Sequence, residues 1–321
     1  MPNRSRLAPA LIAATVTAFS AAASLDAHPG HEHDEPHSPS KPRIATVVLA
    51  GETEPEVTIT VRDGFRLISA NGLPNHETGR FPNRGNPNSI RPQRYDFKVP
   101  AEPQVAAQRA FVGGWLFGIG INGVPFDPLT AEFFRGDRSS PWRYEAISPT
   151  LSLGLDDSRA HVQPSGAYHY HGVPDGLVER LAGASRARPV LLGYAADGFP
   201  IYTADAYAAD GAPTQPANKP YRSSYRLRAG ARPVGPGSPG GNYDGTFTAD
   251  FEYIAGSGEL DESNGRTGPT PEFPKGTYYY AITAEFPFVP RSFRGVPDAS
   301  FAHGPRRGPP PGFRPPPRPV F

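Results

Sequence analysis

From Ile44 onward, short runs of β-branched and aromatic residues alternate with long stretches of turn formers. Residues 44–49 (Ile-Ala-Thr-Val-Val-Leu) and 57–61 (Val-Thr-Ile-Thr-Val) predict two strands, the second by strict alternation. Residues 65–69, 95–99 and 111–121 predict further strands, the last bent at Gly113-Gly114. Between them, residues 71–88 form a long loop rich in Asn, Gly and Pro, and loops of that length in a compact domain often carry function. Two apolar runs, 190–194 and 199–202, flank Asp197-Gly198, a strong hairpin signal. Residues 208–240 read as an extended loop, and 243–254 and 277–283 as strands. Residues 176–187 are the one helical candidate. The pattern predicts a mainly β fold: a single antiparallel β-sandwich or barrel-like domain with long Pro/Gly-rich loops and few short helices.

Composition agrees with that reading. The 321 residues include 41 prolines and 35 glycines, which disfavour long helices. Net charge is +1, so there is no footprint for nucleic acid. The absence of cysteine excludes disulfides, thiolate ligands and a lipid anchor on a thiol. The N-terminus reads as an export signal: Arg4 and Arg6, an apolar segment from Leu7 to Ala23, and small residues up to a cleavage point after Ala23 or Ala27. Four segments are expected: a signal peptide (1–27), a His-rich disordered linker (28–43), a β-rich domain (44–290) and a Pro/Arg-rich disordered tail (291–321). Such a protein is exported, to the periplasm or the outside of the cell, with no stable membrane anchor after cleavage. The linker's His28, His31, His33 and His37 can bind divalent metal loosely.

The informative stretch runs from Leu155 to Gly172. If Pro164-Ser165-Gly166 is a three-residue hairpin loop, proline suits the type I turn and glycine the left-handed position that follows. Gln163 then pairs with Ala167, and His161 faces His169. His171 lies two residues beyond His169, on the same face. Opposed residues sit about 5 Å apart at Cβ, so three imidazoles can share a ligand. Tyr168 and Tyr170 point the other way, towards a packed face. Strand parity extended backwards adds Asp157, or Asp156 if a bulge intervenes. His76 comes from the distant asparagine-rich loop.

Like-charged imidazoles repel when protonated, and a metal ion that takes them neutral removes the conflict. The predicted metal set is therefore His161, His169, His171, His76 and Asp157, with zinc or copper as the divalent transition metal. A metal-free acid/base or structural cluster is the alternative. Asp197, His76 and Glu285 are candidate bases for catalysis. Residues 260–266 carry Asp, Asn and Gly at spacings that fit no EF-hand, so calcium is not expected there.

The frame Gly166-Ala-Tyr-His-Tyr-His-Gly172 resembles the YHYH domain family. Further matching segments begin at Asn71, Phe81, Asn86, Asn122, Leu155, Gly193, Leu260 and Gly276, so the likeness spans about residues 70–290. It implies an exported protein and singles out His76, His161, His169 and His171, but it supplies no reaction. One departure is Ser263, where many relatives carry cysteine, so a disulfide there is absent. Two functions follow. The first is an exported metal-binding protein, with metal-dependent hydrolase or oxidase chemistry as its enzymatic form. The second is a non-enzymatic secreted protein in which Tyr168, Tyr170, Tyr194 and Tyr202 line a groove for a small molecule or glycan.

Overall fold

A computed structural model describes residues 54–182, 189–206 and 219–303. These all fall within one unit, residues 44–321. The signal peptide, the His-rich linker, the strand expected at 44–49, residues 208–218 of the long loop and the end of the tail lie outside the described residues.

The domain is mainly β. Strands β1 (Val57–Arg62), β2 (Phe65–Ala70) and β3 (Tyr95–Pro100) form an antiparallel three-stranded sheet. The β1–β2 turn is Asp63-Gly64, both residues at positive φ (53° and 76°), which matches the twist of a tight hairpin. The main sheet adds β5 (Gly118–Gly120), β6 (Pro125–Phe126), β7 (Ala160–Val162) and β8 (Tyr168–Tyr170), with β4 (Ala110–Phe111) paired elsewhere. After β8 comes the helix α1 (Asp175–Ala182), which buries Leu177 and Val178. Then follow β9 (Leu191–Ala195), β10 (Pro200–Thr203), β11 (Tyr225–Leu227), β12 (Phe251–Tyr253), β13 (Gly265–Gly268), β14 (Thr277–Ile282) and β15 (Ser292–Phe293).

The eight-stranded sheet has the order β13-β14-β10-β9-β5-β6-β8-β7. Two of its pairings, β10 with β14 and β6 with β8, are parallel, so the sheet is mixed where an antiparallel one was expected. It is also open, ending at β13 and β7, and does not close into a barrel. The parallel pairings arise because long connections return the chain beside strands that are not its sequence neighbours. The Asp197-Gly198 hairpin forms as expected, pairing Pro200 with Tyr194 and Ile201 with Gly193. Residues 243–247 are not a strand; a 3₁₀ turn at Thr248–Asp250 leads directly into β12.

The core is aromatic. Phe117 and Phe126 pack with Tyr168, Tyr170, Tyr280, Phe293 and Phe301, all essentially inaccessible. Phe293 and Phe301 lie beyond Pro290. β15 pairs with β4, and a 3₁₀ turn at Ala299–Phe301 docks on β3 with Phe301 stacked on Phe97. Residues 291–303 therefore belong to the folded domain and not to the tail. Their Gly and Arg content hid two apolar anchors.

Ser263 and Ser292 are buried and hydrogen-bonded through their hydroxyls at 2.8 Å. A Ser263→Cys/Ser292→Cys double variant is expected to form a disulfide on oxidation and to gain about 2–4 kcal/mol in chemical denaturation. If the two thiols remain free in the folded oxidised protein, the placement of residue 292 against residue 263 is wrong.

Candidate metal centre

The hairpin β7–β8 has the predicted register. His161 pairs with His169, Ala160 with Tyr170 and Val162 with Tyr168. The turn closes through Gly166 N–H to Gln163 O (2.8 Å) and Gln163 N–H to Ala167 O (2.9 Å). Gly166 sits at φ 92°, and a Cβ there would lie 2.6 Å from Arg91 Cβ, so only glycine fits.

Alternation then sorts the side chains. Tyr168 and Tyr170 are fully buried on one face, where Tyr170 packs against Phe126 (5.2 Å) and Tyr168 against Phe81 (6.1 Å). The histidines occupy the other face. His171 Nε2 lies 3.1 Å from His161 Nε2 and 3.0 Å from His169 Nε2. Among the described residues, these three form the group whose ligand atoms meet, all within 4.8 Å of one another. His169 and His171 are each 3% exposed, whereas His161 is half-buried, so solvent reaches the group on the His161 side.

Backbone carbonyls orient two of the rings. His161 Nδ1 donates to Leu153 O (3.0 Å) and His169 Nδ1 to Ala167 O (3.1 Å). Each Nε2 is then left as a bare lone pair facing the centre, the arrangement in which a second-layer acceptor sets the tautomer of a metal ligand. His171 Nδ1 is buried without a partner. A proton on His171 Nε2 can bridge the other two nitrogens. Nitrogens sharing an ion at about 2.0–2.1 Å lie about 3–3.4 Å apart; the two spacings from His171 Nε2 match this, whereas the group as a whole spans up to 4.8 Å, so His161 and His169 would close in on a shared ion. Burial lowers the pKa of all three imidazoles, that of His169 to about 3, with the neighbouring rings adding repulsion for His169 and His171. The site therefore holds neutral imidazoles, the form that binds metal.

The asparagine-rich loop at 71–94 has a mechanical role here. β7 is the edge of the main sheet, and its Val162 carbonyl accepts from the side-chain amides of both Asn86 (2.9 Å) and Asn88 (2.7 Å). These amides stand in for a neighbouring strand. The same loop presses on the segment that carries Leu153 O. Asn83 Nδ2 donates to Gly154 O (3.0 Å), and Gly154, at φ 65°, has no room for a Cβ beside Asn83 Oδ1.

Two predicted ligands are elsewhere. His76 is on the tyrosine face, where its Nδ1 donates to Glu77 O (2.8 Å) and its Nε2 accepts from Tyr170 OH (2.6 Å). It is separated from the triad by the thickness of the strand. Asp157 is exposed. Strand parity fails to reach it because Arg159, at φ 52°, turns the chain before β7 begins. The bulge alternative, Asp156, also faces the tyrosines: its carboxylate accepts from Tyr168 OH (2.6 Å) and from the backbone of Gly79, Ser158 and Ala160. The two other base candidates are also engaged elsewhere. Asp197 is buried beneath Tyr280 OH and Gly295 N–H, and Glu285 is exposed beside Arg222. Tyr168, Tyr170, Tyr194 and Tyr202 are all buried core residues and do not line an open groove.

Sequence reasoning missed Asp127, Arg291 and His303. Arg291 forms a buried ion pair with Glu145 (2.7 Å) and contributes to lowering the pKa of His171. Asp127 closes the Asn122-Gly-Val-Pro-Phe-Asp run, but nothing in that run signals its partner His303, which lies far along the chain. A family model described as YHYH protein matches residues 96–295, well over half of the chain. No curated protein and no solved structure matches it.

The lowered imidazole pKa values predict acid sensitivity in metal-free protein. Between the unfolded value of 6.5 and the folded value near 3, the unfolded state binds a proton at His169 that the folded state does not. Stability is therefore complete above about pH 6.5 and falls as pH drops, by about 2 kcal/mol at pH 5 from His169 alone. Urea unfolding in chelator at pH 7 and pH 5 measures this, and His169→Leu should flatten the difference. An equal slope in wild type and variant would count against a buried neutral His169.

Proposed function

The chain belongs to the YHYH family, and on that premise we propose that it is an exported metal-binding protein in which His161, His169 and His171 hold a zinc or copper ion. The observation that carries this reading is the convergence of three Nε2 atoms, two of them aimed by backbone carbonyls. Among the described residues no carboxylate shares the centre, so three neutral imidazoles leave a coordination position for water or a small ligand on the His161 side. Zinc there would generate hydroxide near neutral pH, and copper would support oxidation, so the enzymatic forms of this reading are a hydrolase and an oxidase. Support for export comes from the basic, apolar and small-residue succession over residues 1–27.

Mature protein, purified without an affinity tag, should carry about one equivalent of zinc or copper by elemental analysis. His169→Ala should lose that metal while retaining its circular dichroism, whereas His76→Ala and Asp157→Ala should keep it. Less than about a tenth of an equivalent, together with no thermal shift on adding either ion, would sink the reading. Full retention in His169→Ala would move the metal to the His28–His37 tract.

A further inference from the structure

At one end of the main sheet two parallel strands stop side by side. Thr203, the last residue of β10, faces Ile282, the last residue of β14. Parallel neighbours cannot be joined by a hairpin, so the chain leaves them by separate connections. The carboxyl ends of parallel strands are where open sheets commonly hold ligands. A cavity of about 380 Å³ lies there, within the range of about 300–1,000 Å³ typical of small-molecule sites. Its wall is mostly apolar and includes Val173, Val178 of α1, Val190 and Ile282. The cavity shares no residue with the histidine group.

The polar groups at this cavity are sorted by their partners. Thr203 Oγ1 accepts from Val190 N–H (2.9 Å) and donates to Asp205 Oδ2 (2.5 Å), so the Asp205 carboxylate is held through one oxygen. Tyr221 N–H donates to Ala204 O (2.7 Å), which lays the segment with Lys219 and Arg222 alongside the segment with Asp205. Residues 207–218, which join the two segments, lie outside the described residues, and the site includes none of them. Of the other charged side chains lining the cavity, Asp175 is paired with Arg159, and Glu285 stands 3.9 Å from Arg222. Lys219 acts on Glu259 only at longer range. Asp205 and Lys219 have no ion-pair partner among the described residues. One uncommitted anion and one uncommitted cation therefore border an apolar hollow.

We propose that this cavity binds a small zwitterion with an apolar body, of the class of an apolar amino acid or dipeptide. The ligand's ammonium pairs with Asp205, its carboxylate with Lys219, and its side chains pack against Val173, Val178, Val190 and Ile282. A plain anion would leave the Asp205 carboxylate unbalanced beside it, and a plain cation would do the same to Lys219, so the two charges together select a ligand that carries both. The site needs no metal and stands apart from the histidine group.

Calorimetric titration of the full chain with leucine and with leucyl-leucine, in chelator at pH 7, tests this. At least one of them should bind with a Kd below about 1 mM. N-acetylation of the tighter ligand removes its ammonium and amidation removes its carboxylate, and each should weaken binding about tenfold or more. Asp205→Asn keeps an oxygen for Thr203; it should weaken the parent ligand about tenfold and leave the affinity of the N-acetylated form unchanged. Lys219→Gln should do the same to the parent ligand and spare the amidated form. Ala284 is exposed where it lines the cavity, so Ala284→Phe should keep its circular dichroism while obstructing both ligands. Binding of neither ligand at about 10 mM would overturn the proposal. So would blocked ligands that bind as tightly as the parent, or an affinity unchanged in Ala284→Phe. If Asp205→Asn does not fold, Lys219→Gln with the amidated ligand carries the same comparison. Because chelator is present throughout, these outcomes are separate from those of the elemental analysis.

Discussion

The burial of Tyr168 and Tyr170 is the constraint from which the rest of the site follows. Successive side chains on a strand point to opposite faces, so packing two tyrosines against Phe81, Phe126 and His76 leaves the histidines between and after them no choice of side. Both phenols are also hydrogen-bonded, Tyr168 to Asp156 and Tyr170 to His76 and Asn122, so moving either ring out of the core would strand buried polar groups. A one-residue slip of β8 would exchange tyrosines for histidines and disrupt both faces together. The register of this hairpin is therefore enforced by packing as well as by its turn.

The surrounding architecture protects that arrangement. β8 lies inside the main sheet, with β6 on one side and β7 on the other. β7 is the vulnerable edge, and asparagine amides cover it where a strand would otherwise be needed. Residues 291–303 return to the core with Phe293 and Phe301 and bring His303 to the neighbourhood of Asp127. The elements that stabilise the domain are thus also the ones that aim its imidazoles. A centre built this way presents three neutral imidazoles from one packed hairpin.

Legibility from the sequence followed the range of the interactions. Pro164-Ser165-Gly166 set the pairing of His161 with His169 through local dihedral preferences, and the structure shows that pairing. Asp197-Gly198 did the same for β9 and β10. Parity extended past the strand failed for Asp157, because a single left-handed residue, Arg159, resets the alternation. His76 was singled out by residue type and by the family likeness, neither of which says which side of the sheet a long loop reaches. The tail boundary at Pro290 failed because two phenylalanines among Arg and Gly do not make a hydrophobic pattern, yet they fill the core.

By itself, then, the sequence determined the β-rich class, the hairpin and the three-histidine face, since each depends on residues within about ten positions of one another. Tertiary structure alone decided that the sheet is mixed and open, that His76 and Asp156 serve the tyrosines, and that Asp127 meets His303 from far along the chain. The physical reason is that local dihedral preferences are carried by neighbouring residues. The approach of distant segments is settled only by how the whole core packs, and that is not written in any one stretch of the chain.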